Sequence, residues 1–119
     1  MPREFVGYQR LLRLFHAAIA VGGIGLGNIT AAMASDAAAG LAKSAICASC
    51  HGPVGISPVP SYPNIAGQNP LYLDYAIRRY RDGERCGDQA GMMFTVTQTL
   101  TDADISDLAA YYGSLRPNR

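Results

Sequence analysis

Apolar residues recur at helical intervals in three stretches of this chain, and no stretch shows the alternation of a half-buried strand. In the first, Asp36 is a good N-cap, and Ala37, Gly40, Leu41, Ser44, Ala45 and Ala48 follow at helical spacing, forming one face of small residues. A glycine inside a helix costs about 1 kcal/mol relative to alanine, so Gly40 suggests a close helix crossing, a tolerated surface glycine being the alternative. The second stretch starts near Leu71 with Pro70 at its head, carries an apolar stripe of Leu73, Ala76, Ile77 and Tyr80, and stops at Gly83. The third opens on Thr101, whose hydroxyl caps a turn bearing Asp102 and Asp104. Ile105, Leu108, Ala109 and Tyr112 then line one face, with Gly113 as the natural stop. Between residues 52 and 70, Pro53, Pro58, Pro60, Pro63 and Pro70 exclude a regular helix. The pattern predicts an all-α domain of three principal helices joined by long loops.

The N-terminal part reads as an address rather than as fold. Arg3, Arg10 and Arg13 precede a charge-free stretch from Leu14 through Ala34, which ends in the small-x-small sequence Ala32-Met33-Ala34. This is the pattern of a secretory signal peptide over residues 1–34, cleaved after Ala34, with a single domain over 35–119. An uncleaved membrane anchor is the rival reading, since the apolar run approaches the roughly 20 residues that span a bilayer. Gly22, Gly23, Gly25, Gly27, Asn28 and Thr30 make it a poor span. Of the 10 basic and 9 acidic residues, the leader takes Arg3, Arg10, Arg13 and Glu4, so the remaining domain is close to neutral and is not built to bind nucleic acid.

The densest chemistry lies in Cys47-Ala48-Ser49-Cys50-His51, the C-x-x-C-H pattern of covalent haem attachment. Residues three and four apart share a helix face, so the two thiols and the imidazole converge: the thiols can add to the vinyl groups of one haem while His51 reaches the iron. A thioredoxin-like redox pair, a zinc site and a simple Cys47–Cys50 disulfide compete. The first lacks a strand–helix setting, the second lacks ligands beyond Cys86 and His16, and the third leaves His51 without a role. Cys86 is a third thiol, either a buried inert residue or, in an exported protein, an intermolecular disulfide or redox-sensitive group. Arg78, Arg79, Arg81 and Arg85 line the second helix, as a solvated face or as a site for an acidic partner or a propionate. Asp74, four residues before Arg78, accounts for part of that pattern. The adjacent Tyr111 and Tyr112 read as packing residues.

Taken together, Cys47-Ala48-Ser49-Cys50-His51-Gly52, Pro63-Asn64-Ile65-Ala66-Gly67-Gln68, the Tyr72-to-Arg85 helix and Leu100-Thr101-Asp102-Ala103-Asp104-Ile105 resemble the class I c-type cytochromes, in particular the small bacterial cytochrome c-four and c-five-five-three branch. The resemblance implies the small cytochrome c fold around one covalently attached haem c. It also implies a low-spin iron with His51 and a methionine as axial ligands, and a Pro63 carbonyl that accepts from the His51 imidazole. The family pattern sets the methionine seven residues before the leucine that opens the last helix, which selects Met93 over Met92 and places it in the loop before that helix. The function implied is periplasmic one-electron transfer between redox partner proteins by a monomer that is not an enzyme. The alternatives are a haem subunit held in a larger oxidoreductase, or a ligand-binding or peroxidase-like haem. Without haem, so small an apolar core should leave the chain largely unfolded.

Overall fold

The computed structural model describes residues 34–117, and the leader expected over residues 1–34 lies, but for Ala34, outside them. Among the described residues there are five helices and no strand: α1 (Ala37–Lys43), α2 (Ala45–His51), α3 (Pro70–Arg81), α4 (Ala90–Thr97) and α5 (Asp102–Ser114). None is long and apolar enough to cross a membrane. The all-α expectation holds, with α1/α2, α3 and α5 as its principal helices.

The helix starts follow the caps read from the sequence. Asp36 accepts from the Ala38 and Ala39 amides, and Asn69 accepts from Leu71 and Tyr72 ahead of Pro70. Thr101 and Asp104 satisfy each other's backbone amides in a capping box. Leu73 of α3 clusters with Leu108, Ala109, Tyr111 and Tyr112 of α5, and Ala76 and Ile105 are buried as well. Burying each of the large side chains of that cluster contributes roughly 1.5–3 kcal/mol.

Three expectations about helix limits are corrected. The first helix is not continuous into the thiol motif but breaks at Ser44, whose hydroxyl and amide both donate to the Leu41 carbonyl at 2.8 and 3.1 Å. A serine that takes a backbone carbonyl competes with the helical ladder. Gly113 is not a stop: α5 runs through Ser114, and Gly113 instead gives room to Pro70, whose Cγ lies 2.5 Å from where a Cβ would stand. The methionine segment is not a loop but the helix α4, packed against α3.

Gly40 does mark a close crossing. A Cβ there would run into the Asp107 carbonyl and come within 2.7 Å of the Tyr111 Cβ, so the surface-glycine alternative is excluded. Around the crossing Lys43 pairs with Asp104 and Asp107, both at 2.8 Å, and the Asp36 amide donates to Asp107. Hydrogen bonding to Lys43 holds both carboxyls below the usual range, and Asp104 then Asp107 raise Lys43. Depressed carboxyls contribute stability that is complete above their unfolded value of about 3.9 and is lost as pH falls through the folded values. The Lys43 share is present below about 10.4 and lost as pH rises past its raised value. Lys43→Gln is therefore expected to move acid unfolding to higher pH in a titration followed by circular dichroism; an unchanged midpoint would show that the cluster adds nothing.

The arginines of α3 are ion-paired at the protein surface. Arg78 bridges Asp74 and Asp102, Arg81 bridges Asp82 and Asp102, and Arg79 pairs with Glu84. Arg85 instead lies over the Tyr80 ring, 4.7 Å from its centroid. Tyr111 and Tyr112 pack as expected, with ring centroids 4.9 Å apart.

Candidate haem-binding site

The thiol motif occupies α2, the segment carried onto the core by the α1–α5 crossing. The helix ends at Gly52, whose positive φ of 79° is a conformation that side-chain-bearing residues rarely adopt, and whose amide still donates to the Ala48 carbonyl. The proline-rich loop then folds back on the helix. Ile65 and Ala66 donate to the Gly55 carbonyl at 2.9 and 3.0 Å, the Ser57 hydroxyl donates to Cys50 O at 2.8 Å, and Asn64 Oδ1 accepts from the Ser57 amide at 2.8 Å. These bonds bring the Pro63 carbonyl to 2.8 Å from His51 Nδ1, the contact expected from the resemblance. His51 is buried, and with Nδ1 donating to a carbonyl, Nε2 is the nitrogen left to coordinate.

Cys47, Cys50 and His51 open onto one cavity of about 750 Å³, within the size range of cofactor pockets. Its wall includes Leu73, Ala76 and Ile77 of α3, Leu108 and Tyr112 of α5, and Ile65 and Tyr62 of the loop. Met92 and Met93 both reach it from α4. Met93 shares a helix face with Val96 and Thr97, which line the cavity together with Leu100 of the following turn, and is the more buried of the pair; Met92 is 49% exposed.

No disulfide joins the two motif cysteines. Burial pushes the Cys47 thiol up, against the lowering effect of a hydrogen bond with Tyr112. That is the reverse of the depressed thiol of a thioredoxin-like nucleophile. Among the described residues no group of three or more His, Cys, Asp or Glu side chains is arranged to hold a metal ion, so the zinc reading gains no support. The donor set present, two thiols not paired with each other and an oriented imidazole on an apolar cavity, fits a covalently attached haem.

Cys86 departs from the inert, buried residue expected: it is exposed, in the segment between α3 and α4, and on the rim of the same cavity. Other residues that build the site carry no chemical motif. Asn64 and Ser57 act through the loop backbone, and Tyr62 and Tyr80 meet the site only through the fold.

A helical domain presenting these donors on one cavity defines a haem-attaching electron-transfer protein. Residues 35–116 match the cytochrome c family, and the chain belongs to it. Cytochrome c-554(548) of Halomonas halodenitrificans is 49% identical over 81 residues, which cover 68% of this chain and 98% of that protein. A cytochrome c4 of Pseudomonas aeruginosa is 43% identical over 81 residues, covering 68% of this chain but 39% of the relative's length. The crystal structure of reduced recombinant cytochrome c4 from Pseudomonas stutzeri superposes with a TM-score of 0.60 at 34% identity, over 70% of this chain and 47% of that one. The chain is thus a class I c-type cytochrome of the c4 type, a haem c electron carrier working with redox partners, and not an enzyme.

Proposed function

We propose that this chain is a periplasmic one-electron carrier, with one haem c bound through Cys47 and Cys50 and held axially by His51 and Met93. The observation that carries the reading is the His51 Nδ1 to Pro63 carbonyl bond at 2.8 Å, on a cavity that Met93 also lines. A haem bound there supplies the one-electron couple. His51, oriented by Pro63, presents Nε2 from the α2 side, and Met93 presents its sulfur from α4. A thioether favours ferrous iron over ferric, so His51 and Met93 together would raise the potential and would keep oxygen and peroxide from the iron. Ile46, Tyr72 and Met92 are exposed and line the cavity, which gives transient redox partners an apolar rim to meet. Residues 1–34 direct export to the compartment where such attachment takes place and are removed after Ala34.

The test is an optical spectrum of the exported protein, oxidised and reduced, with and without carbon monoxide, after acid–acetone extraction. Haem that resists extraction, a low-spin spectrum and no carbon monoxide shift are expected. Met93→Ala should bind carbon monoxide stoichiometrically while Met92→Ala should not. A wild-type spectrum that shifts with carbon monoxide would move the protein to the ligand-binding alternative, and equal behaviour of the two variants would remove Met93 from the iron.

A further inference from the structure

Met93 is joined to helix α3 through the backbone of Thr97 and Leu100 by hydrogen bonds that no sequence motif announces. The hydroxyl of Thr97, a residue only 2% exposed, donates to the Met93 carbonyl at 2.7 Å. The Leu100 amide donates to the Thr97 carbonyl at 3.0 Å, closing the turn after α4. Leu100 is partly buried against the core and lines the cavity, and its own carbonyl accepts from Arg81 Nη1 at 3.3 Å. The same nitrogen pairs with Asp102 at 2.7 Å while Arg81 Nε pairs with Asp82 at 2.9 Å, so the guanidinium is fixed between the end of α3 and the start of α5. Arg78 adds a second bridge from α3 to Asp102 and Ser106.

We propose that Arg81 is a positioning residue for Met93, holding its sulfur on the cavity by tying the turn after α4 to the C-terminal end of α3. The proposal rests on the reading of Met93 as an axial ligand. A planar guanidinium suits the task, because it donates to a neutral carbonyl and to two carboxylates in one fixed geometry. Apart from its packing on α3, α4 is restrained at its C-terminal end by this turn. Loosening the turn therefore lets the methionine leave the iron without unfolding α5. An exogenous ligand competes with Met93 only in that opened state, so its apparent affinity reports the opened fraction.

The experiment titrates the ferric holoprotein with imidazole at constant pH and measures the midpoint potential beside it, in wild type and in Arg81→Gln, Arg81→Lys, Thr97→Val, Lys43→Gln and Met93→Ala. Loss of a charged hydrogen bond predicts about a tenfold rise in imidazole affinity for Arg81→Gln. A fall in potential should accompany it, and Arg81→Lys should recover most of both. Thr97→Val breaks the next link of the same series and should move affinity in the same direction. Lys43→Gln disrupts the Asp104–Asp107 cluster at the α1–α5 crossing, which makes no bond to Arg81, Thr97 or Leu100, and should stay within about twofold of wild type even where it lowers the unfolding midpoint. If Arg81→Gln and Thr97→Val rise no more than Lys43→Gln while Met93→Ala binds imidazole far more tightly, the positioning role is wrong and the ligand assignment stands. If Met93→Ala binds imidazole no better than wild type, the ligand assignment fails and the proposal falls with it.

Discussion

A Cys47→Ser/Cys50→Ser variant purified without haem is expected to be largely unfolded, with weak far-ultraviolet helical dichroism and no cooperative thermal transition. The reason lies in which side chains the cavity and the core share. Leu73, Leu108 and Tyr112 belong to the buried cluster and also line the cavity, so one part of each faces protein and another faces the cofactor. Among the described residues the largest fully buried side chains are Tyr112, Ile105 and Leu108, a small set of anchors for a domain of this length. Helix α4 packs chiefly on α3 and completes the cavity with Met93, Val96 and Thr97. A haem joined through two thioethers supplies apolar surface to α2, α3, α4 and α5 together, and cannot be lost without breaking bonds. In small domains that depend on a metal or cofactor, binding free energy is folding free energy. A haem-free variant with native helical signal and a sharp transition would show that the side-chain core suffices alone.

How much of this was readable in advance divides along the range of the interactions. Asp36, Pro70, Thr101 and Asp104 act on amides a few residues away, so the helix starts could be read directly. The haem motif is equally local, since Cys47, Cys50 and His51 meet on one turn. The break at Ser44 was hidden because it depends on a rotamer and on Tyr112, 68 residues away, whose hydroxyl donates to the Ser44 carbonyl at 3.4 Å. Helix α4 was hidden because its sequence has little amphipathic contrast and ends in Thr95, Val96 and Thr97, β-branched residues of modest helix propensity; packing on α3 decides its state. The pairing of Arg81 with Asp102 spans 21 residues, and a run of arginines looks the same whether it is solvated or bridged. The Pro63 contact is an intermediate case, carried by the family pattern and then built by Ser57 and Asn64.

Gly40→Val is expected to destabilise the protein by roughly 2–4 kcal/mol, while Gly91→Ala should be neutral or stabilising by up to about 1 kcal/mol. Both glycines lie inside helices, and propensity alone favours a side chain at either. What separates them is the neighbour. At Gly91 an added Cβ meets nothing within 4 Å, so the entropy gain in the unfolded chain is unopposed. At Gly40 it meets the Asp107 backbone, with the carbonyl carbon 2.6 Å away, and the Tyr111 Cβ. None of these is the end of a flexible side chain, so α1 has to move away from α5. That movement also stretches the Lys43–Asp104–Asp107 cluster and the Asp36 amide bond to Asp107, which hold the same crossing. Because α2 follows α1 across the Ser44 break, the displacement carries Cys47 and His51 with it relative to Leu108 and Tyr112. Denaturant unfolding of the two holoproteins should therefore give midpoints on opposite sides of wild type, or Gly91→Ala at wild type and Gly40→Val well below. A Gly40→Val protein with a wild-type midpoint would mean that the crossing is loose enough to accept a side chain, and that the thiol motif is held on the core by the haem rather than by the α1–α5 contact.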